Sequence, residues 1–154
     1  MLVKELMVTD VRTCGPDDTL EAAGREMWAR NCGCLPVVDE HLNVLGIITE
    51  RDVLMSAWLN PVGARSSLVG SAMSQRIPTC CPEDDIQLAH QQMRAHRVRR
   101  LAVTAGTRLV GILSLSDLVL DGLGTMSSHR PPLTRDGFVP GRDYPGERQT
   151  QFAD

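Results

Sequence analysis

The sequence predicts a mixed α/β (α+β) fold built from two copies of one supersecondary unit, and two observations carry this prediction. The segments G-I-I-T-E-R-D-V-L (46–54) and G-I-L-S-L-S-D-L-V (111–119) each hold an apolar strand, a hydroxyl residue and an aspartate three positions later. Upstream of them, matching residues such as Met7 and Met73 recur at an offset of 66, which becomes 65 after residue 40. A duplicated unit that keeps one polar pair indicates two equivalent binding positions rather than a single catalytic centre.

Each copy is predicted to run through the same elements in the same order. A short apolar turn opens the copy, an extended piece ends at a proline, and a helix follows whose apolar residues recur at three- and four-residue spacing. Carboxylates directly before this helix are expected to cap it, namely Asp17, Asp18, Glu83 and Asp84. Two strands joined by a polar turn predict a hairpin, and a closing helix follows the hydroxyl residue. The predicted ranges are Val3 to Met7 and Val69 to Met73 for the turns, Leu35 to Val38, Val44 to Thr49, Leu101 to Thr104 and Leu109 to Ser114 for the strands, and Glu50 to Leu59 and Leu115 to Leu123 for the closing helices.

Composition places the chain among globular proteins with an ordinary core. It has 154 residues, of which 42% are hydrophobic, enough for one domain of common size. No apolar run approaches the roughly 20 residues of a membrane span, and the start MLVKELM lacks the apolar centre of a signal peptide. We therefore expect no membrane association and a cytoplasmic location. A formal charge of −3 disfavours nucleic-acid binding through the field of the whole protein, which leaves only a local basic cluster for that role.

The chain shows no pattern that predicts an enzyme or a metal site. Five cysteines are an odd number, so we expect small buried thiols rather than a disulfide framework. The pair Cys32 and Cys34 has one intervening residue, a poor match to zinc spacing, and its redox use stays open as an alternative. Neither a nucleophile with a nearby base nor a phosphate-cradling GxxxxGK[ST] loop is present.

The repeated polar pair has two readings that the residues alone leave open. Thr49 with Asp52 and Ser114 with Asp117 fit a capping box, in which a hydroxyl and an acidic residue three positions later satisfy the start of a helix. The same carboxylate can instead accept hydrogen bonds from the two hydroxyls of a ribose, with the helix N-terminus favouring a phosphate beside it. Basic residues would then have to lie within reach of that phosphate.

At these residues the two copies resemble a pair of cystathionine beta-synthase (CBS) motifs, which together form a Bateman module. The segments that carry the resemblance are M-V-T-D-V-R-T-C-G-P-D-D-T-L-E-A-A, G-C-L-P-V-V-D and G-I-I-T-E-R-D in the first copy, and S-A-M-S, I-P-T-C-C-P-E-D-D, V-R-R-L-A-V and G-I-L-S-L-S-D-L in the second. The resemblance implies tandem motifs that pack by their small sheets with pseudo-twofold symmetry and leave two clefts. Such clefts commonly take AMP, ADP, ATP, S-adenosylmethionine or NAD-type ligands, and such modules often pair into a homodimer.

Carried over position by position, the resemblance implies a set of ligand-binding residues. Asp52 and Asp117 would hold the ribose, with Thr49 and Ser114 beside them. Thr13 and Thr79 would present backbone groups to the adenine edge. The apolar wall would come from Leu35, Pro36, Val37, Leu101 and Val103. On the phosphate side we expect Arg51 to serve the first copy and Arg99, Arg100 and Ser116 to serve the second, so that the two clefts differ in affinity.

The domain boundaries and the function follow from the same comparison of the copies. We expect one motif over 1–60, a linker over 61–68, a second motif over 69–122 and an irregular C-terminal tail over 123–154 that is flexible or draped over the body. The sequence predicts a regulatory module that needs no cofactor, senses an adenosine-containing ligand and reports to an effector that the sequence does not identify. The alternative is a ligand-free dimerisation or docking protein, linked to stress or redox chemistry.

Overall fold

The computed structural model describes residues 1–61, 63, 65–75 and 77–122, and these form the predicted mixed α+β fold. The first copy holds the helices α1 (Val3–Leu6), α2 (Leu20–Arg30) and α3 (Glu50–Leu59) and the strands β1 (Cys34–Val38) and β2 (Val44–Thr49). The second holds α4 (Val69–Ala72), β3 (Ser74–Gln75), β4 (Thr79–Cys80), α5 (Ile86–His96), β5 (Arg100–Ala105), β6 (Arg108–Ser114) and α6 (Leu115–Gly122). The predicted tail over 123–154 lies outside the described residues.

Both predicted hairpins form, and each supplies two strands of a three-stranded sheet. Strands β1 and β2 pair antiparallel and continue to β3, whereas β5 and β6 pair antiparallel and continue to β4, which runs parallel to β5. The turn of each hairpin is polar, and Asp39 closes the first by accepting hydrogen bonds from the backbone N–H groups of His41 (2.9 Å) and Asn43 (2.8 Å). Short apolar strands separated by turn residues therefore predicted both hairpins correctly.

The opening segments of the two copies are exchanged, a feature that the sequence patterns do not predict. Val3 of α1 packs in the hydrophobic core of the second copy, and Val69 of α4 packs in the core of the first. The strand β3 that follows α4 pairs with β2, and Val8, which follows α1, bridges to Ile112 in β6. Each compact unit thus contains a helix and an edge residue that belong to the other half of the sequence.

Three hydrophobic clusters hold the molecule together. One lies between the first sheet and helices α2 and α4, with Leu35 and Val37 as its central strand residues. Another lies between the second sheet and helices α1 and α5, with Leu101 and Val103 in the same role. A third cluster joins the two sheets and combines Val38 of β1 and Ala102 of β5 with four further members and neighbours: Leu109, Val11, Val44 and Ile77. Because successive side chains of a strand point to opposite faces, β1 and β5 contribute to a helix-side core with one face and to the sheet interface with the other.

The caps of α2 and α5 correct the sequence prediction by one or two residues. Thr19 is the N-cap of α2 and accepts from the N–H of Ala22 at 3.2 Å, and Asp85 is the N-cap of α5 and accepts from the N–H of Gln87 at 2.8 Å. Of the carboxylates expected to cap, Asp18 and Asp84 instead accept from the backbone N–H groups of Gly15 and Cys81 at 2.7 Å each, while Asp17 and Glu83 are exposed on the turns. Asp18 and Asp84 therefore close the turn that precedes each helix, and the residue after each of them is the N-cap.

No helix in the described ranges is long and apolar enough to cross a membrane.

Candidate functional site

The repeated polar pair forms the same hydrogen-bonded unit at the start of α3 and of α6. In the first copy the Asp52 carboxylate accepts from the N–H of Thr49 (2.9 Å) and from its hydroxyl (2.6 Å), both at Oδ2. In the second copy Asp117 Oδ2 accepts from the N–H and the hydroxyl of Ser114, at 2.8 Å each. In return each threonine or serine oxygen accepts from the aspartate N–H at 3.3 Å. The capping-box reading is therefore confirmed at both positions, and in each the bonds to the hydroxyl residue are made by Oδ2 of the carboxylate.

The two aspartates differ in how much of them reaches solvent. Asp117 is 3% exposed and Ser114 is 9% exposed, so the second pair is enclosed. Asp52 and Thr49 are half-buried. The Asp52 carboxylate is therefore more accessible from solvent than the Asp117 carboxylate.

Arg100, at the start of β5, places its positive charge beside residues of the first copy. Arg100 begins β5 and lies opposite Ser114 in the strand register, as Cys34 lies opposite Thr49 in the other sheet. Its guanidinium nevertheless crosses to the first copy, because a Cβ placed on Gly33 would lie 3.9 Å from an Arg100 nitrogen and 3.4 Å from Glu50 Oε2. Leu101 points into the helix-side core, so Arg100 points from the opposite face of β5 toward the other sheet. That Arg100 serves the second cleft stays a prediction, and its guanidinium lies beside the start of α3.

The remaining polar residues of the predicted site lie at the same two helix starts. Arg51 and Ser116 are the second residues of α3 and α6, and both are exposed. Arg99 is exposed, and its carbonyl accepts from the N–H of Leu115 at 2.8 Å. The Gly33 carbonyl accepts from Glu50 in the same way at 3.1 Å. Residues 33 and 99 are thus fixed at the helix starts, each within its own copy.

The apolar residues of the predicted wall divide between the two faces of their strands. The side chains of Leu35, Val37, Leu101 and Val103 are 0% exposed and lie in the helix-side cores, so they are not presented to the space between the sheets. Pro36, between Leu35 and Val37, lies on the opposite face of β1. Strand alternation is the signal that separates the two groups, and it favours the even-numbered positions of β1 and β5 as neighbours of a bound ligand.

The two threonines expected at the adenine edge lie beside the central strands. Thr79 is exposed in β4 and pairs in parallel with Ala102. Thr13 is half-buried next to Cys14, whose backbone bridges to Val37. A cavity of about 400 Å³ adjoins Thr13, with the Arg12 and Glu26 ion pair (3.8 Å) on its wall. This cavity includes neither Asp52 nor Asp117 in its lining.

Four of the five thiols are buried or half-buried, and Cys81 is exposed. Burial raises the pKa of Cys34 to about 11 and also raises the pKa of Cys32, although the Arg100 guanidinium lowers both. Burial likewise raises the pKa values of Cys14 and Cys80 to about 12. Within the described part of the chain, no three His, Cys, Asp or Glu side chains are grouped so that they could hold a metal ion. A thiol that stays protonated at neutral pH is a weak nucleophile, which disfavours the redox alternative.

Comparison with known proteins decides the family. The CBS domain model matches residues 3–58 and 69–121. The chain belongs to the CBS domain family. The CBS domain-containing protein YhcV of Bacillus subtilis is 30% identical over 126 residues, which cover 82% of this chain and 89% of YhcV. A CBS-domain-containing protein from Agrobacterium tumefaciens has the same fold, with a TM-score of 0.72 and 30% identity over 79% of this chain and 99% of that protein.

Solved structures of this fold include complexes with adenosyl compounds. The CBS domain pair of protein MJ0100, in complex with 5′-methylthioadenosine and S-adenosyl-L-methionine, has a TM-score of 0.72 and 22% identity, covering 80% of this chain and 97% of that pair. CBSX2, in complex with AMP, has a TM-score of 0.71 and 20% identity, covering 82% of this chain and 98% of CBSX2. At these identities the two structures share the fold with this CBS pair.

Two residues of the site were missed at the sequence level, Gly33 and Glu50. They flank the Arg100 guanidinium, and Gly33 leaves room where its counterpart in the second copy, Arg99, carries a long side chain. Aligning the copies does mark position 33 as a Gly-for-Arg difference. It does not indicate that residue 100 of the other copy reaches this position, because that contact depends on how the sheets pack.

Proposed function

We propose that this CBS pair is a regulatory module that binds an adenosine-containing ligand between its two motifs and passes its occupancy to a partner protein. The observation that carries the proposal is the Asp52 carboxylate. It is held at Oδ2 by Thr49, it is half-buried at the start of α3, and Arg100 of the other motif lies near that helix start beside Gly33. The proposal includes no chemical step on the ligand.

The residues around Asp52 match the parts of an adenosine phosphate. A ribose can donate from its two hydroxyls to the carboxylate, whose Oδ1 is not engaged by the bonds to Thr49. The start of α3 presents backbone N–H groups, and with the Arg51 and Arg100 guanidinium groups it favours a phosphate. Glu50 adds a negative charge beside Arg100, so the proposal requires that the two arginines outweigh it.

The ligand class comes from proteins of the same fold. One binds S-adenosylmethionine and 5′-methylthioadenosine, and another binds AMP. We extend adenosyl recognition to this chain because its two hydroxyl–aspartate pairs occupy equivalent helix starts. AMP, ADP, ATP, S-adenosylmethionine and NAD are the candidates, and we further propose that the module works as a homodimer.

Ligand titration calorimetry on the full chain tests this function. We expect at least one of these five compounds to bind, with Asp52→Ala abolishing binding at that cleft. The matched control is Asp85→Ala, which removes an exposed helix cap at α5 away from both hydroxyl–aspartate pairs. Binding should persist in this control because the change removes only the cap and the 3.7 Å ion pair of Asp85 with the Met1 amine. If no compound produces heat or a thermal shift, the sensor function is wrong and ligand-free docking becomes the better account.

A further inference from the structure

The start of α3 carries a second carboxylate that the start of α6 lacks. Glu50 is the first residue of α3, and Leu115 is the first residue of α6. Glu50 is exposed, whereas Leu115 is half-buried and packs against the hydrophobic core of the second copy. Both copies form the same capping box although these residues differ, because the box needs only the hydroxyl residue and the aspartate. The capping box therefore does not account for Glu50.

A carboxylate in the first turn of a helix is favourable because the N-terminal end of the helix dipole is positive. Asp52 already supplies such a carboxylate to α3, so this role does not require Glu50. The position of the Glu50 side chain is more specific than that role. A Cβ added to Gly33 would lie 3.4 Å from Glu50 Oε2 and 3.9 Å from a guanidinium nitrogen of Arg100. The carboxylate and the guanidinium thus border the same space beside the helix start.

The two charges also act on the same neighbouring thiols. Burial raises the pKa of Cys34 to about 11, and there the Arg100 guanidinium lowers the pKa while the Glu50 carboxylate raises it. Burial is the largest cause of the raised pKa of Cys32 as well, and Arg100 and Glu50 again act in opposite directions. An anion attracted to Arg100 would therefore also be exposed to the negative charge of Glu50.

The charged side chains at the start of α3 balance one another. Glu50 and Asp52 are negative, and Arg51 and Arg100 are positive. A single phosphate can be shared by two guanidinium groups, each of which presents a fork of donors to its oxygens. A polyphosphate carries more negative charge than two arginines neutralise, and Glu50 adds a further repulsion that increases with each phosphate.

We propose that Glu50 is a specificity-determining residue that restricts the Asp52 cleft to adenosyl ligands with at most one phosphate, such as AMP or S-adenosylmethionine. This inference rests on the proposed function and narrows its five candidate ligands. A monophosphate is attracted to Arg51 and Arg100, whereas each further phosphate places an additional negative charge near Glu50. S-adenosylmethionine carries a sulfonium and an ammonium group, for which a second carboxylate is a favourable neighbour.

Calorimetric titration of the unchanged chain and of Glu50→Gln with adenosine, AMP, ADP and ATP, without added magnesium, tests the proposal. Glutamine keeps the size and helix propensity of glutamate and removes its charge. The unchanged chain should bind AMP more tightly than ATP. In Glu50→Gln we expect affinity to rise about threefold for AMP, about tenfold for ADP and about 30-fold for ATP, since each phosphate loses a similar repulsion. Adenosine binding should not change, and S-adenosylmethionine should bind about threefold more weakly.

The matched control is Glu40→Gln, which makes the same change in net charge on the exposed turn of the first hairpin. Glu40 lies 3.7 Å from His41 there. Its affinities should equal those of the unchanged chain, because the effect requires a carboxylate at the start of α3. Raising the salt concentration from about 0.1 M to about 1 M should reduce the gain of Glu50→Gln for ATP, since the screening length falls from about 10 Å to about 3 Å. Circular dichroism confirms that both variants are folded.

The phosphate series separates the role of Glu50 from a structural effect. An equal change in the affinities for adenosine and ATP overturns the proposal, because loss of helix stability would alter both alike. A preference of the unchanged chain for ATP over AMP overturns it too, as does a Glu40→Gln variant that behaves like Glu50→Gln. In these cases the ligands still bind and the proposed function stands. If neither the unchanged chain nor Glu50→Gln binds any of these compounds, the proposed function is wrong and the role of Glu50 is wrong with it.

Discussion

Replacing each capping aspartate by alanine should destabilise the two motifs unequally. At Asp52 the lost bonds are those to the N–H and hydroxyl of Thr49, and because this pair is half-buried, water can replace them. We expect a loss of about 1 kcal/mol, the usual cost of removing a helix cap. At Asp117 the same change removes the acceptor of the N–H and the hydroxyl of Ser114, which is 9% exposed. Buried groups without partners cost about 1–3 kcal/mol. We therefore expect a loss of about 3 kcal/mol for Asp117→Ala.

Urea unfolding followed by circular dichroism measures this difference. The expected gap of about 2 kcal/mol appears as a lower midpoint for Asp117→Ala at an unchanged slope. Asp85→Ala serves as the control for an exposed cap: Asp85 accepts a 2.8 Å bond from the Gln87 N–H and forms an exposed 3.7 Å ion pair with the Met1 amine. Because exposed ion pairs contribute little, this change should cost about as much as Asp52→Ala. Equal losses for Asp52→Ala and Asp117→Ala would refute the reasoning, because burial of the second pair is the only basis for the difference.

Three further predictions concern the cation, the strand packing and the thiols. Arg100→Ala should weaken AMP binding by about 10- to 100-fold, since a charge-assisted hydrogen bond contributes about 1.5–3 kcal/mol, and should leave adenosine binding unchanged; equal calorimetric losses for both ligands would contradict a phosphate contact. Gly46→Ala should lower the free energy of unfolding by about 1–3 kcal/mol, because the added Cβ would overlap the Ser74 carbonyl oxygen. Thermal unfolding should show almost no change for the control Gly15→Ala, whose added Cβ would lie 3.8 Å from its nearest neighbour, Asp18 Oδ2. The raised pKa of Cys34, about 11, means that its thiolate appears only as pH rises toward that value, so thiol labelling at neutral pH should be far slower than at the exposed Cys81, and comparable rates would be inconsistent with the burial.

Much of the local structure could be predicted because the same residues that form it also mark its ends. Strand β2 and helix α3 have the bounds that the sequence predicted, Val44–Thr49 and Glu50–Leu59. The reason is chemical: Thr49 ends the strand and caps the helix with one side chain, so a single residue fixes both boundaries. Where several polar residues compete for the cap, as at Asp17, Asp18 and Thr19, composition alone does not choose among them.

The exchange of the opening helices could not be predicted, because neither helix sequence indicates which of the two cores it packs against. Val3 and Val69 occupy equivalent positions, and each is fully buried in the core of the other copy. The choice depends on the path of the extended segment that follows each helix. The contact of Arg100 with the first copy was missed for the same reason, since it follows from the packing of two sheets rather than from any local pattern.

The exchange links the two sheets through one short segment. The segment from Val8 to Cys14 is bonded at one end to the second sheet, where Val8 and Ile112 exchange two backbone hydrogen bonds of 2.9 and 3.0 Å. At its other end Cys14 bonds to Pro36 (3.1 Å) and Val38 (2.9 Å) of the first sheet. The sheets therefore cannot separate by more than this short segment allows unless bonds of one sheet break. Under the proposed function, a ligand that changes the spacing of the sheets at one cleft acts on a connection shared by both motifs, and the second motif responds without contacting the ligand.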